Sequence, residues 1–206
     1  MISQEYKAVI FDLGKVIFDY SFSKAYKFWA TTANKSFEDI KGNFHFDKTF
    51  EDFESGKISA DQFRREILQR LNLNLSNDDF DTGWCSIYLD TYSEIDKLLL
   101  DLKKKYRVVA LTNTNIIHSS VWRVKYFNTL QHFEKIFCSY ELGTRKPESK
   151  AFQIVLDYLQ TKPTETIFLD DNIDNIKGAI QLDIATIWVT SQEKMNCELL
   201  QHGLLN

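Results

Sequence analysis

Only two prolines and seven glycines punctuate these 206 residues. No stretch is rich in Gly or Ser, so the chain offers no flexible linker, internal repeat or low-complexity segment. Nowhere do the ~18 consecutive apolar residues of a membrane span occur. The opening MISQEYKAVIFDLG has no basic segment followed by a long apolar stretch, which argues against a secretory leader. Excess positive charge is also lacking: the formal net charge is −4, so no basic field exists to draw nucleic acid or an anionic membrane. Cys85, Cys138 and Cys197 are few, odd in number and widely spaced, which fits reduced thiols better than a disulfide framework. The four histidines are scattered, with no metal-ligand spacing. Together these absences predict a non-exported, cytoplasmic protein whose partner is a small molecule; its oligomeric state, monomer or small homo-oligomer, stays open.

Hydrophobic residues form 44% of the chain and charged residues 26%, a balance that excludes disorder. A chain of this length buries roughly 70% of its unfolded surface, and 16 phenylalanines predict a ring-rich core. Apolar runs at 8–11, 108–111, 136–139, 166–169 and 186–189 read as strands. Their apolarity is continuous rather than alternating, the mark of strands buried on both faces. Helical stretches at 94–105, 150–159 and 173–181 separate the later strands. That βαβ rhythm predicts an α/β fold with a doubly wound, Rossmann-like parallel sheet.

Between the first and second strands lies far more chain than one crossover helix needs. There Phe22, Tyr26, Trp29 and Ala33 fall at helical spacing. Ser59 to Gln62 has the form of a capping box before a second apolar face at Phe63, Ile67 and Leu71. An all-helical cap at 18–88 is therefore expected after the first strand, with a core formed by 1–17 and 89–206. The cap's rings, including Trp29, Phe44, Phe46, Phe50 and Trp84, read as packing rather than as ligand platforms.

Open α/β sheets bind ligands outside the carboxyl ends of their strands, near the switch point of strand order. Polar residues at strand ends are thus the candidates: Asp12 after the first, Thr112 and Asn113 after the second, and Asp170 and Asp171 after the fourth. Lys146 lies in the loop after the third. Helix N-capping alone could account for Asp170 and Asp171. Yet adjacent carboxylates at a buried strand end repel one another, and a cation explains them better.

The segments VIFDLGKV, LTNTN, RKPE and FLDDNIDN, in this order on matching strand ends, resemble the four motifs of the haloacid dehalogenase-like phosphatases over most of the chain. The resemblance implies that Asp12 attacks phosphorus, forming an aspartyl-phosphate that water hydrolyses. It implies a small phosphorylated metabolite as substrate and Mg²⁺ as cofactor. Because carboxylate and phosphate are both anionic, their repulsion must be offset by the metal, by the Lys146 ammonium, and by the Thr112 hydroxyl and Asn113 amide as donors. Hard Mg²⁺ takes about six oxygen ligands and keeps several waters. Asp12, Asp171 and the backbone carbonyl of Gly14 are the implied protein ligands. Asp170 would act through a water or through Lys146, with Asn175 around it, while Asp174 reads as a solvated helix residue.

At position 14, two after the nucleophile, many family members carry an Asp that protonates the leaving oxygen and later activates water. Here it is Gly14. The metal-binding carbonyl survives, but acid–base help worth ~10² to 10⁴-fold is missing from that position. Lys15 replaces a common glycine and offers a second cation beside Asp12. His118 has a pKa suited to a substitute proton donor, although a surface or capping histidine fits equally well. DLGKV, ESGKIS, LTNTN, RKPE and DDNIDNIKGA look closest to the bacterial subgroup that includes α-D-glucose-1-phosphate phosphatase, which also lacks the second Asp. An anomeric oxygen leaves more easily than an ordinary alkoxide, so a sugar phosphate such as glucose 1-phosphate would suit such a site. Two other readings compete: a regulatory protein of the same fold that only binds a phosphorylated ligand, for which Gly14 speaks, and a metal-independent haloacid dehalogenase, against which Asp170 and Asp171 speak.

Overall fold

A computed structural model of the protein describes residues 5–205; residues 1–4, on which the leader reading partly rests, lie outside them. The central sheet has five parallel strands: β1 (Ala8–Phe11), β4 (Arg107–Thr112), β5 (Lys135–Cys138), β6 (Thr166–Asp170) and β7 (Ala185–Trp188). Two short strands, β2 (Phe18–Tyr20) and β3 (Tyr88–Thr91), pair antiparallel in a separate ribbon that flanks the inserted segment and has no clear apolar run to announce it. Between them lie five helices: α1 (Phe22–Thr32), α2 (Phe37–Asn43), α3 (Lys48–Glu54), α4 (Ala60–Arg70) and α5 (Asn77–Cys85). The core helices are α6 (Ile95–Leu102), α7 (Ile116–Lys125), α8 (Phe127–Leu130), α9 (Ser139–Leu142), α10 (Ser149–Leu159), α11 (Ile173–Ile180) and α12 (Gln192–Gln201).

The strand order is β5-β4-β1-β6-β7, so the chain fills one side of β1 and then crosses to the other. The switch point lies between β1 and β6. Every β1 residue is buried, and its side chains alternate between the two faces: Val9 and Phe11 pack with α6, α7 and α12, Ala8 and Ile10 with α10 and α11. This two-sided burial is why the strand sequences read as unbroken apolar runs. The expected helix at 94–105 stops at Leu102, where its buried face ends and Lys103, Lys104 and Lys105 begin. Among the described residues no helix is long and apolar enough to cross a membrane.

A stack of rings packs between the inserted helices α1 and α5. Trp29 is fully buried, stacked on Phe80 at 4.8 Å and on Trp84 at 5.7 Å, and its indole N–H donates to the Phe80 carbonyl at 3.0 Å. Ser59 caps α4 by accepting from the Gln62 N–H, but the Gln62 side chain turns to Glu66 instead of closing the capping box. Trp29→Ala removes the centre of the stack and the indole bond to the Phe80 carbonyl. It is expected to cost about 3–5 kcal/mol in denaturant unfolding; a loss under about 1 kcal/mol would show that the stack is not what holds the helices together.

Candidate active site

The register of β1 on β6 pairs Phe11 with Leu169, and the Asp12 N–H donates to the Leu169 carbonyl at 2.8 Å. Asp12 and Asp170 are thereby set side by side at one edge of the sheet. Carboxylate oxygens of Asp12, Asp170 and Asp171 lie within 4.8 Å of one another. The Lys146 ammonium, 1% exposed, reaches between them, donating to Asp12 Oδ1 at 2.8 Å and Asp170 Oδ2 at 2.6 Å.

Burial pulls the Lys146 pKa down, but the two carboxylates outweigh it and hold the ammonium charged. The carboxylates respond in the opposite sense. Burial, opposed by Lys146, together with the charges of Asp170 and Asp171, pushes Asp12 up to about 7. Burial and the neighbouring Asp170 push Asp171 up to about 6. Three carboxylates against one ammonium leave a formal excess of two negative charges. An all-oxygen donor set carrying that excess fits a hard divalent cation.

Asp170 has little left to offer such a cation. It accepts from Lys146, from the Asn172 N–H at 2.7 Å and, through both of its oxygens, from the Asn175 Nδ2 amide at 3.2 and 3.0 Å. Four accepted bonds occupy the usual capacity of a carboxylate. Asn175 is thus buried as the clamp of Asp170, while Asp174 is exposed and pairs with Lys177. The oxygens best placed for direct coordination are those of Asp12 and Asp171.

Three further candidates have partners that the strand-end pattern does not show. The Asn113 amide, expected to hold phosphate, lines the cavity and also donates to the Lys146 carbonyl and accepts from the Lys146 N–H, both at 2.9 Å. Its side chain fixes the backbone that carries the ammonium. Lys15 turns from the carboxylates to pair with Asp19 and lie over the Tyr20 ring, although its charge still eases Asp171 slightly downward. His118 lines the cavity, but it is stacked on Trp84 at 4.5 Å and both ring nitrogens are engaged, Nε2 with the Trp84 carbonyl and Nδ1 with Asn115. Burial drops its pKa to about 3, so it stays neutral and is no proton donor.

Gly14 also proves different from the simple loss of a side chain. A Cβ there would meet the Tyr20 ring at 2.6 Å, so an aromatic ring fills the space a side chain would need. Tyr20, Glu54, Arg145 and Asn172 all line the cavity of about 420 Å³ above the carboxylates, together with Asp12, Gly14, Thr112 and Lys146. Sequence reading passed over these four. The available signals were the placement of Arg145 beside Lys146 in RKPE and of Glu54 in ESGKIS. A groove of about 490 Å³ between α6 and α12 contains none of the strand-end residues.

Residues 6–183 match the model of the haloacid dehalogenase-like hydrolases. The chain belongs to this family. Within it the chain is 29% identical over 189 residues to a D-ribitol-5-phosphate phosphatase of Bacteroides thetaiotaomicron, covering 87% of this chain and 90% of that one. It is 27% identical to a sesquiterpene phosphatase of Aspergillus oryzae, covering 95% and 96%. A haloacid dehalogenase family enzyme of Bacteroides thetaiotaomicron, solved with magnesium and inorganic phosphate, superposes with a TM-score of 0.77 at 32% identity, covering 88% of this chain and 93% of that one.

The raised carboxyls set a stability–pH relation for the metal-free protein. Their folded pKa values exceed the ordinary 3.8, so the stability they contribute is full below about 4 and is lost as pH rises through about 6 to 7. A divalent cation competes with those protons. The gain in melting temperature on adding Mg²⁺ should accordingly be larger at about pH 8 than at about pH 5; an equal gain at both would place cation binding away from these carboxylates.

Proposed function

We propose that the protein is a Mg²⁺-dependent phosphomonoester hydrolase that works through an aspartyl-phosphate on Asp12. The observation that carries this reading is the cluster of Asp12, Asp170 and Asp171 around the buried Lys146 ammonium, on the floor of a cavity. A dehalogenase attacking carbon has no use for that excess of negative charge. A pure binding module has little reason to bury a nucleophile against it.

When held by Asp12, Asp171 and the Gly14 carbonyl, Mg²⁺ supplies the positive charge that lets an anionic carboxylate approach an anionic phosphoryl group. The chain's own groups do the rest. Lys146 holds Asp12 in place and presents its charge to the phosphoryl oxygens. Asp170, locked by Asn172 and Asn175, holds Lys146 from the other side. Thr112, buried at the end of β4 and lining the cavity, is the hydroxyl donor to a phosphoryl oxygen. Asn113 contributes by positioning Lys146.

The substrate is a small phosphorylated metabolite, for which we favour a sugar phosphate such as glucose 1-phosphate. The cavity combines polar groups, Glu54, Arg145 and Asn172, with the rings of Tyr20, Phe22 and Tyr88, and a sugar presents both hydroxyls and an apolar ring face. The named activities of the relatives, on a pentitol phosphate and on a sesquiterpene phosphate, show that likeness alone does not select the leaving group.

Asp12→Asn keeps the shape and loses the nucleophilic charge, and p-nitrophenyl phosphate turnover should vanish while the circular dichroism spectrum is unchanged. Substantial Mg²⁺-dependent turnover by clean mutant protein would remove Asp12 from the mechanism. Exhaustive chelation should stop the wild type and Mg²⁺ restore it, with Asp171→Ala needing at least ~10-fold more metal because a direct anionic ligand is gone. Activity indifferent to chelation would favour the dehalogenase reading.

A further inference from the structure

Displacement at phosphorus is roughly in line, with attacking and leaving oxygens on opposite sides. Asp12 attacks from the floor, so the leaving oxygen points towards the cap. The water that later cleaves the aspartyl-phosphate arrives by the side the leaving group vacated. A single acid–base group on the cap side could therefore serve both steps. Gly14 has no carboxyl, and His118 is neutral and engaged on both nitrogens. The carboxyls lining the cavity are Asp12, Asp171 and Glu54. The first two belong to the metal cluster, which leaves Glu54.

Glu54 is the last residue of α3 and is 7% exposed. Its Oε2 accepts from Arg145 Nη2 at 3.0 Å, while Arg145 Nη1 donates to Glu51 at 3.2 Å. The chain then turns at Gly56, where φ is +65° and a Cβ would lie 2.4 Å from the Tyr140 carbonyl of α9. Only glycine allows the cap backbone to sit so tightly on the core. Glu54 is therefore pinned against the core from both sides, by the ion pair and by this close backbone contact.

Resting on the hydrolase reading above, we propose that Glu54 is the general acid and base of the reaction, supplied by the cap in place of the carboxyl missing at position 14. Protonated Glu54 passes its proton to the bridging ester oxygen as the phosphorus bond to that oxygen breaks and a bond from Asp12 to phosphorus forms. The alcohol leaves. The Glu54 carboxylate then takes a proton from water as the water oxygen bonds to phosphorus and the Asp12–phosphorus bond breaks, releasing inorganic phosphate with Glu54 protonated again. The groups facing Glu54 are Arg145 and Lys146 from the core loop, Glu51 on its own helix, and Tyr20 and Tyr88 on the ribbon. Burial outweighs Arg145 and Lys146 and pushes its carboxyl up to about 7, a value suited to giving and retaking a proton near neutrality.

The test compares kcat/KM for p-nitrophenyl phosphate, whose leaving group needs no proton, with that for glycerol phosphate, whose leaving group does. Glu54→Gln preserves the shape and an acceptor for Arg145. It should lower kcat/KM by ~10² or more for glycerol phosphate and by under ~10-fold for p-nitrophenyl phosphate. With p-nitrophenyl phosphate the variant should also show a burst of one p-nitrophenolate per enzyme, because dephosphorylation has lost its base. Arg145→Gln breaks the ion pair but keeps the carboxyl; it should retain the wild-type ratio between substrates and move the alkaline limb of the glycerol phosphate profile upward. Equal losses on both substrates in Glu54→Gln, or the same change of ratio in Arg145→Gln, would reduce Glu54 to a structural partner of Arg145. Should Glu54→Gln fail to fold, the wild type decides: kcat/KM for glycerol phosphate must fall through a limb near pH 7 that p-nitrophenyl phosphate lacks, and identical limbs overturn the proposal. Wild type inactive on both substrates would instead strike down the hydrolase reading itself.

Discussion

The Lys146 ammonium, buried between Asp12 and Asp170, is the interaction to which the other parts of the site are fitted. An unpaired charge at that depth costs several kcal/mol, so the two carboxylates and the ammonium require one another. Each is held by further bonds. Asn113 grips the Lys146 backbone, and Asn172 and Asn175 fill the remaining capacity of Asp170. Through its ammonium Lys146 ties the loop after β5 to the ends of β1 and β6, and through its backbone to the loop after β4. The cluster nevertheless stays over-negative, and that imbalance is what a divalent cation and a phosphoryl group together could exploit.

The sheet makes this possible by geometry rather than by energy. Parallel pairing of β1 with β4 and β6 brings the carboxyl ends of three strands to one edge, where backbone N–H groups and side chains can converge. The cap supplies the opposite wall. Arg145 joins the two: its guanidinium pairs with Glu51 and Glu54 of α3, and its peptide bond leads directly to Lys146. Any displacement of α3 must therefore be felt at the backbone of the buried ammonium.

Much of the fold is legible in the sequence because two-sided burial leaves an unbroken apolar signature at each sheet strand, and the insertion shows as excess length after the first. Of the residues gathered at the floor, Asp12, Thr112, Asp170 and Asp171 are visible as polar residues at strand ends, and Lys146 as a cation in the loop after the third. Their partners are not. Whether the Asn113 amide faces a ligand or the Lys146 backbone depends on the path of a loop thirty-odd residues away, which no local pattern encodes. His118 gave no sign that it would be buried on Trp84, because that contact joins two distant helices. Glu54 looked like one more helix-end carboxylate, and only the packing of Gly56 on Tyr140 and the reach of Arg145 give it a place in the cavity. The ring of Tyr20 in the space beside Gly14 is likewise a product of the β2–β3 ribbon, whose strands are too short to read.

In the proposed mechanism phosphorus is bonded to Asp12 during turnover. Rapid acid quenching during hydrolysis of a phosphate-labelled substrate, followed by peptide mapping, tests it directly, since acyl phosphates survive acid and are lost in base. Base-labile label is expected on the peptide containing Asp12, appearing before free phosphate reaches its steady rate. Label on another residue, or turnover with no trapped phosphoenzyme when dephosphorylation is rate-limiting, would contradict it.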